Sequence, residues 1–281
     1  MPPHRSATPA SPRFRPARPA LAGALGLALA GLALGFTPAS AEPTRDAKAI
    51  EIAERTLEAM GVAQAWQNTR FVRFEFFGFR LHHWDRHTGR HRMEGTTREG
   101  QEYVVLHDVE NAGEGGGSAW LDGEALEGDR LADWVKNAYR AWINDTYWLT
   151  MPYKLLDPGV NLSYDGEETL DGATYDKLKL TFEGVGLTPG DTYWAYIDRE
   201  SGLMGRWAYS LQGWDAETPP TEWRWLDWAR YGEIQLASKR FDPAKEREAT
   251  LDKIAVFKSL PDSVFTSAAP VTAAAPAASD E

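Results

Sequence analysis

The sequence predicts a mostly β domain of the α+β class, a strongly curved, half-open antiparallel barrel of about eleven strands with two principal helices packed in or across its concave side. Three observations carry this reading. From residue 161 onward the chain is almost all strand and turn. Only two long segments have helical periodicity, and neither belongs to a repeating βα pattern, which argues against doubly wound and TIM-barrel architectures. A sheet that wide is expected to curl, and two helices cannot cover both of its faces. A β-sandwich is the alternative.

Taken in order, the chain opens with Arg5, Arg13, Arg15 and Arg18 and no acid, then runs through small and apolar residues from Ala20 to Phe36, and reaches Ala39-Ser40-Ala41. A basic segment, an apolar segment and a small-x-small site form a secretory signal peptide over 1–41. The apolar run is 17 residues long, about 26 Å as a helix, marginal for a bilayer span. The expected destination is the periplasm or the exterior, and after cleavage no integral membrane segment is expected. Residues 44–60 predict a helix capped by Thr44, with Ala49, Ile52, Ala53, Leu57 and Met60 on one face and Gly61 ending it.

Residues 70–85 read as one long strand, followed by a hairpin through 86–89 returning over 90–94, a strand at 103–109, a glycine-rich loop at 113–117 and a tight hairpin at Asp122-Gly123. The second helix is expected over 128–143, capped by Asp129, with Leu131, Trp134, Val135, Ala138 and Trp142 on its apolar face. Residues 144–160 are aperiodic and predict a packed loop with at most one helical turn. Strands follow at 161–169, 174–183, 191–199, 204–213, 222–230, 232–240 and 250–258. A single domain is expected over 42–265, and the Ala/Pro-rich 266–281 reads as a disordered tail.

Charge and composition narrow the function. The chain carries a net charge of −11, and loss of residues 1–41, with four Arg and no acid, takes it to −15. Such a surface repels nucleic acid and anionic lipid. There is no Cys, so no disulfide, thiolate metal site, cysteine nucleophile or lipidated cysteine is available. No Gly-x-Ser-x-Gly elbow marks a serine nucleophile. Acid pairs such as Glu167/Glu168 and Asp215/Glu217 would serve a glycosidase only if a cleft brought them together.

Within this architecture, Tyr193-Trp194-Ala195-Tyr196-Ile197-Asp198-Arg199-Glu200-Ser201-Gly202-Leu203-Met204-Gly205-Arg206-Trp207 is a strand ending in Asp-x-x-x-Gly-Leu that returns at once, and Trp84-Asp85-Arg86-His87-Thr88-Gly89-Arg90 is similar to a second copy of that turn. With the leading helix and the meander, these segments resemble the LolA/LolB-like superfamily of exported lipoprotein and lipid carriers. Trp142–Leu149 and Asp157–Leu162 are similar to segments of an uncharacterised bacterial family within or near it. The resemblance implies a cavity for acyl chains; it is an analogy of fold. The aromatic and histidine content departs from the well-known carriers.

All twelve Trp lie beyond residue 41. They serve either as a two-layer aromatic core or as the lining of an apolar pocket, with Trp134, Trp142, Tyr147, Trp148, Trp194, Trp207, Trp223 and Trp225 as the candidate ligand-binding rings and the 128–143 helix as a lid. Trp228 falls on the face opposite Trp223 and Trp225 if its strand is regular. His83, Arg86, Arg90 and His91 form the one basic patch and are candidates for an anionic group; His82, His83, His87 and His91 match no zinc motif, so no metal and no cofactor is expected. The predicted function is non-catalytic binding or transfer of a lipid or acylated molecule in the cell envelope, with an envelope protein as a second kind of partner. The alternatives are an envelope structural or protein-interaction domain and a secreted hydrolase with a polar cleft.

Overall fold

The computed structural model describes residues 43–111, 116–269 and 271. Segment 1–41, expected to be a signal peptide, residues 113–115 of the glycine-rich loop and most of the 266–281 tail lie outside them. The described residues form one thirteen-stranded antiparallel sheet: β1 (Phe71–Phe76), β2 (Arg80–Asp85), β3 (Arg90–Thr96), β4 (Glu102–Asp108), β5 (Gly117–Leu121), β6 (Glu124–Ala125), β7 (Val160–Leu170), β8 (Ala173–Phe182), β9 (Thr192–Asp198), β10 (Met204–Ser210), β11 (Thr221–Tyr231), β12 (Ile234–Asp242) and β13 (Arg247–Phe257). The order is β6-β5-β4-β3-β2-β1-β13-β12-β11-β10-β9-β8-β7. Two meanders, β1–β6 and β7–β13, are sewn together where the first strand pairs with the last, Phe71 opposite Phe257 and Phe76 opposite Leu251.

This corrects the predicted barrel of about eleven strands, because the sheet is open and its edges do not meet. Closure would require β6 to pair with β7, and β6 is only two residues long. The free edge of β7 is already taken at its start by the chain's own Thr44–Asp46. Leu162 N–H donates to Thr44 O (2.9 Å) and Asp46 N–H to Leu162 O (3.1 Å). Farther along, β7 carries a register break between Tyr164 and Glu167 and the carboxylates of Asp165, Glu167 and Glu168, features that keep an edge strand from pairing. The strand count rises because residues 70–85 are two strands. Phe77 (φ 48°) and Gly78 (φ 73°) are the central residues of a turn closed by Phe79 N–H donating to Phe76 O (2.9 Å), and the three residues 77–79 between the strands place Phe76 opposite Arg80.

The helices pack on one face. α1 (Ala47–Ala59) is capped by Asp46, whose carboxylate accepts from Ala49 N–H (2.8 Å), rather than by the expected Thr44. α2 (Val62–Asn68) was not expected; it follows at once because Gly61 supplies φ 119°. A Cβ on Gly61 would collide with the Glu233 carbonyl. α3 (Gly128–Thr150) is capped at Glu127, not Asp129, and extends through 144–150 where a loop was expected. The two Thr of that stretch do not break it, since Thr146 Oγ1–H donates to Trp142 O (2.6 Å) and Thr150 Oγ1–H to Thr146 O (2.7 Å), both within the helix. A 3-10 turn, Met151–Lys154, follows.

Two arginines, the half-buried Arg86 and the fully buried Arg240, close helix carboxyl ends in the same way. Arg86 lies over Trp66 (3.5 Å to the ring centroid) and donates to Trp66 O and Thr69 O at the end of α2. Arg240 lies over Trp225 (3.5 Å) and donates to Trp148 O in the last turn of α3. Neither has a carboxylate within ion-pair distance among the described residues; the helix dipole and the indole face supply the negative potential. Burial pulls the Arg86 guanidinium down to about 10 and Arg240 well below its ordinary value.

Three apolar clusters run along the helical face. One joins α1 and the 3-10 turn to β7–β12, one joins α2 to β1, β12 and β13, and one joins the first half of α3 to β3–β5. On the opposite face Phe71 meets Val264 and Phe265 from a second 3-10 turn, Asp262–Phe265.

Candidate functional site

The expected ligand-binding rings separate into four places. Tyr147 and Trp148 descend from the last turns of α3 onto β9–β11. Trp148 meets Trp207 edge-on (4.8 Å) and Trp223 (5.2 Å), Trp207 meets Trp225 (5.4 Å), and Tyr147 meets Tyr193 (5.2 Å). These five of the eight therefore converge, and they form packed core: Trp207 and Trp225 are each 1% exposed. Trp134 stands apart against Tyr103 (5.1 Å), and Trp142 against Trp84 (5.4 Å). Trp194 lies on the other side of the sheet beside Lys177. α3, the expected lid, packs on β4, β5 and β12.

Open space occurs elsewhere. β10 and β11 pair only over Arg206–Tyr209 and Thr221–Arg224. Beyond Arg206 the two strands part, and the Trp228 indole N–H reaches across to Met204 O (3.2 Å). Asp227 takes φ 57°, which breaks the strand alternation and turns Trp228 onto the same face as Trp225, with the rings stacked at 6.2 Å. The opposite-face placement predicted for a regular strand is thereby corrected. The result is a groove of about 310 Å³ whose apolar wall is Leu170, Ala173, Leu203, Met204, Leu226 and Trp228. Its rim holds Arg206 and Arg224. Arg206 is bound to Glu222 (2.8 Å) and lies over Tyr196 (4.4 Å), while Arg224 is bound to Asp171 (2.8 Å). Burial raises the Glu222 carboxyl despite Arg206. Gly205 is required here, since a Cβ would stand 2.7 Å from the Tyr175 ring.

Of the expected residues only Trp225 lines this groove. The groove's other lining residues were missed because the wall is built from hairpin ends that are far apart in sequence. The available signals were Gly205 inside a strand and the third Trp of the Trp223–Trp228 run.

The His/Arg hairpin does not make one patch. His83 and His91 sit on opposite faces of the sheet. His83 is 2% exposed, and burial, with Arg92 and Arg73 nearby, pulls it down to about 3. Arg86 is occupied by the α2 carbonyls. Arg90 binds Asp85 (3.1 Å) and Asp262, and Asp85 also binds Arg70 (2.9 Å). Burial pushes the Asp85 carboxyl up, but its bonds to Arg70, Thr88 and Arg90 outweigh this and hold it below the usual range.

His91 instead belongs to a buried chain under α3. Asp145 of α3 accepts from Arg80 (2.6 and 3.0 Å) and from His82 Nε2 (2.9 Å). His82 Nδ1 meets His91 Nε2 (3.0 Å), and His91 Nδ1 meets His107 Nε2 (2.8 Å). His82, His91 and Asp145 are at most 1% exposed and His107 is 6% exposed. The carboxylate only accepts, so His82 must carry its proton on Nε2. Its Nδ1 then accepts from His91 Nε2–H, and His91 Nδ1 from His107 Nε2–H. One carboxylate thus fixes three tautomers. Burial lowers all three imidazoles, His107 to about 4. Among the described residues no group of three or more His, Cys, Asp or Glu side chains is arranged to hold a metal ion.

Residues 122–219, about a third of the chain, match a family of unknown function (DUF6503). No curated protein matches. Three solved structures are similar over most of both chains. A DUF1329 family protein from Desulfovibrio piger is 10% identical, covering 77% of this chain and 96% of its own, with a TM-score of 0.40. A domain from Vibrio parahaemolyticus named for outer membrane lipoprotein sorting is 9% identical, covering 78% and 96%, with a TM-score of 0.39. A LolA superfamily protein from Nitrosomonas europaea is 10% identical, covering 77% and 96%, with a TM-score of 0.40. The likeness to the LolA/LolB-like superfamily is distant and is one of fold alone.

Proposed function

We propose that the protein binds a lipid or acylated molecule without catalysing a reaction on it, holding an apolar chain in the groove between β10, β11 and the β7–β8 hairpin. The observation that carries this reading is the parting of β10 from β11, which opens about 310 Å³ walled by Leu170, Ala173, Leu203, Met204, Leu226 and Trp228. A methylene fills somewhat less than the ~30 Å³ share of a liquid water, so the groove admits roughly ten. At about 0.8 kcal/mol each, complete burial of ten supplies about 8 kcal/mol, which sets a ceiling near micromolar affinity. The signal-like segment 1–41 supports export, with this activity in the cell envelope.

The test is displacement of a dansyl-labelled fatty acid, titrated into protein freed of lipid. Wild type should bind one equivalent, whereas Ala173→Trp, which fills the groove, and Leu226→Asp, which charges its wall, should bind at least tenfold more weakly. Equal affinity in all three would remove the groove from the account. A second reading, an envelope structural or protein-interaction domain, is favoured by the closely packed rings of Tyr147, Trp148, Trp207, Trp223 and Trp225. It predicts no fatty-acid binding by wild type.

A further inference from the structure

Among the described residues four large apolar side chains are exposed: Phe79 (66%), Leu187 (51%), Leu211 (37%) and Trp214 (37%). They share one end of the sheet. Phe79 is in the turn after β1, Leu187 in the loop after β8, and Leu211 and Trp214 in the loop after β10. β1, β8 and β10 run in the same direction, as the antiparallel order β1-β13-β12-β11-β10-β9-β8 requires. Chance placement would distribute such side chains over both ends and both faces.

The two larger loops are held together. Gly190 N–H donates to Gln212 Oε1 (3.1 Å), and Gln212 N–H donates to Asp191 Oδ1 (2.7 Å). Asp191 is further fixed by Thr188 Oγ1–H (2.6 Å). Leu187, Leu211 and Trp214 are therefore carried on a braced pair of loops.

We propose that this end of the sheet docks on a phospholipid surface of zwitterionic headgroups, with Leu187, Leu211, Trp214 and Phe79 entering the interface. Spacing and charge both point to this occupant. At about 4.8 Å per strand, the tips are distributed along roughly 30 Å of sheet end. They form separate points rather than the continuous apolar patch of a protein interface. An indole at a loop tip suits the headgroup region, where its ring and its N–H are both accommodated. Residues 183–191 and 211–221 contain no Lys or Arg and four acids, Glu183, Asp191, Asp215 and Glu217. The turn between β12 and β13 at the same end adds Lys245 and Arg247, each directed at Asp242 (3.8 and 3.5 Å). An end with more acids than bases does not gain from anionic lipid, so the attraction must come from apolar insertion. The groove proposed above opens toward the β7–β8 and β9–β10 turns, at the other end of the strands, and docking does not depend on it.

The test is flotation of the 42–281 chain with phosphatidylcholine vesicles at 0.15 M NaCl. Wild type should float. The Leu187→Ser, Trp214→Ser double variant should lose at least tenfold in partitioning, and Phe79→Ser should lose less. Brominated phosphatidylcholine should quench a component of the emission that is missing from Trp214→Phe. Ala173→Trp should float like wild type, which separates this surface from the groove. The proposal is overturned if wild type does not float or if the tip variants float equally. It is also overturned if binding requires anionic vesicles and vanishes at 0.5 M NaCl, or if the tips pair with a second copy of the chain, seen as tip-dependent dimers in sedimentation without vesicles.

Discussion

Replacing Asp145 with Asn changes one atom type at the point where α3 is fastened to the sheet. The carboxylate is fully buried and accepts from Arg80 twice, His82 and Asn144. Asn keeps one acceptor oxygen and sets an NH2 group against Arg80 or His82, so at least one donor loses its partner. Breaking a buried charge pair costs about 3–5 kcal/mol. The Arg80 side chain is 29% exposed and can turn toward water, which puts the expected loss near the lower figure, about 3 kcal/mol. That is a large share of the ~5–15 kcal/mol by which domains are stable. Urea unfolding followed by circular dichroism measures it, provided the denaturant slope is unchanged. A loss under about 1 kcal/mol would refute the view that this carboxylate anchors the helix and sets the polarity of the histidine chain.

Acid should destabilise the protein well above the carboxylate range. His83 and His107 lie at about 3 and about 4 in the folded chain against ~6.5 unfolded, so the unfolded state takes up protons first. Stability is complete above about pH 6.5 and falls toward pH 4, by about 3 kcal/mol from His107 alone; a flat urea midpoint between pH 7 and 4.5 would contradict this. Gly61→Ala should cost at least about 2 kcal/mol, through its φ of 119° and the Glu233 carbonyl, and a shift in melting temperature reads it directly. Trp207→Ala should cost about 3–5 kcal/mol while fatty-acid affinity stays within a few-fold, since Trp207 lies outside the groove wall.

The strands of the C-terminal meander were legible because Asp171-Gly172, Asp198–Gly202 and Asp242-Pro243 punctuate alternating segments. The β1–β2 turn was hidden because Phe77-Gly78 carries an aromatic where the usual signal is Asn or Asp. The closure of the sheet was misjudged for a different reason. Width alone says nothing of edges, and what keeps this one open is Thr44–Asp46 lying along β7, a contact between residues over a hundred positions apart. Likewise α3 continues past Ile143, and its two threonines bond back to their own helix instead of breaking it. Composition there suggested a loop.

The candidate site was only partly legible. Strand parity puts Trp223 and Trp225 on one face, but Tyr147 and Trp148 join them only because α3 runs on through a stretch that reads as a loop, and whether rings pack or line a space depends on where two strands separate. Asp227, with its positive φ, decides this for Trp228. The histidines were legible as a cluster, but their chain runs through Asp145, a residue that reads as part of a turn until α3 is seen to include it.

Native mass spectrometry of the 42–281 chain, purified without detergent and then offered a fatty acid, tests the central claim most directly. The account predicts a one-to-one adduct of fatty-acid mass on wild type and its absence from Ala173→Trp. A bare wild-type chain, or the same adduct on both proteins, would contradict it.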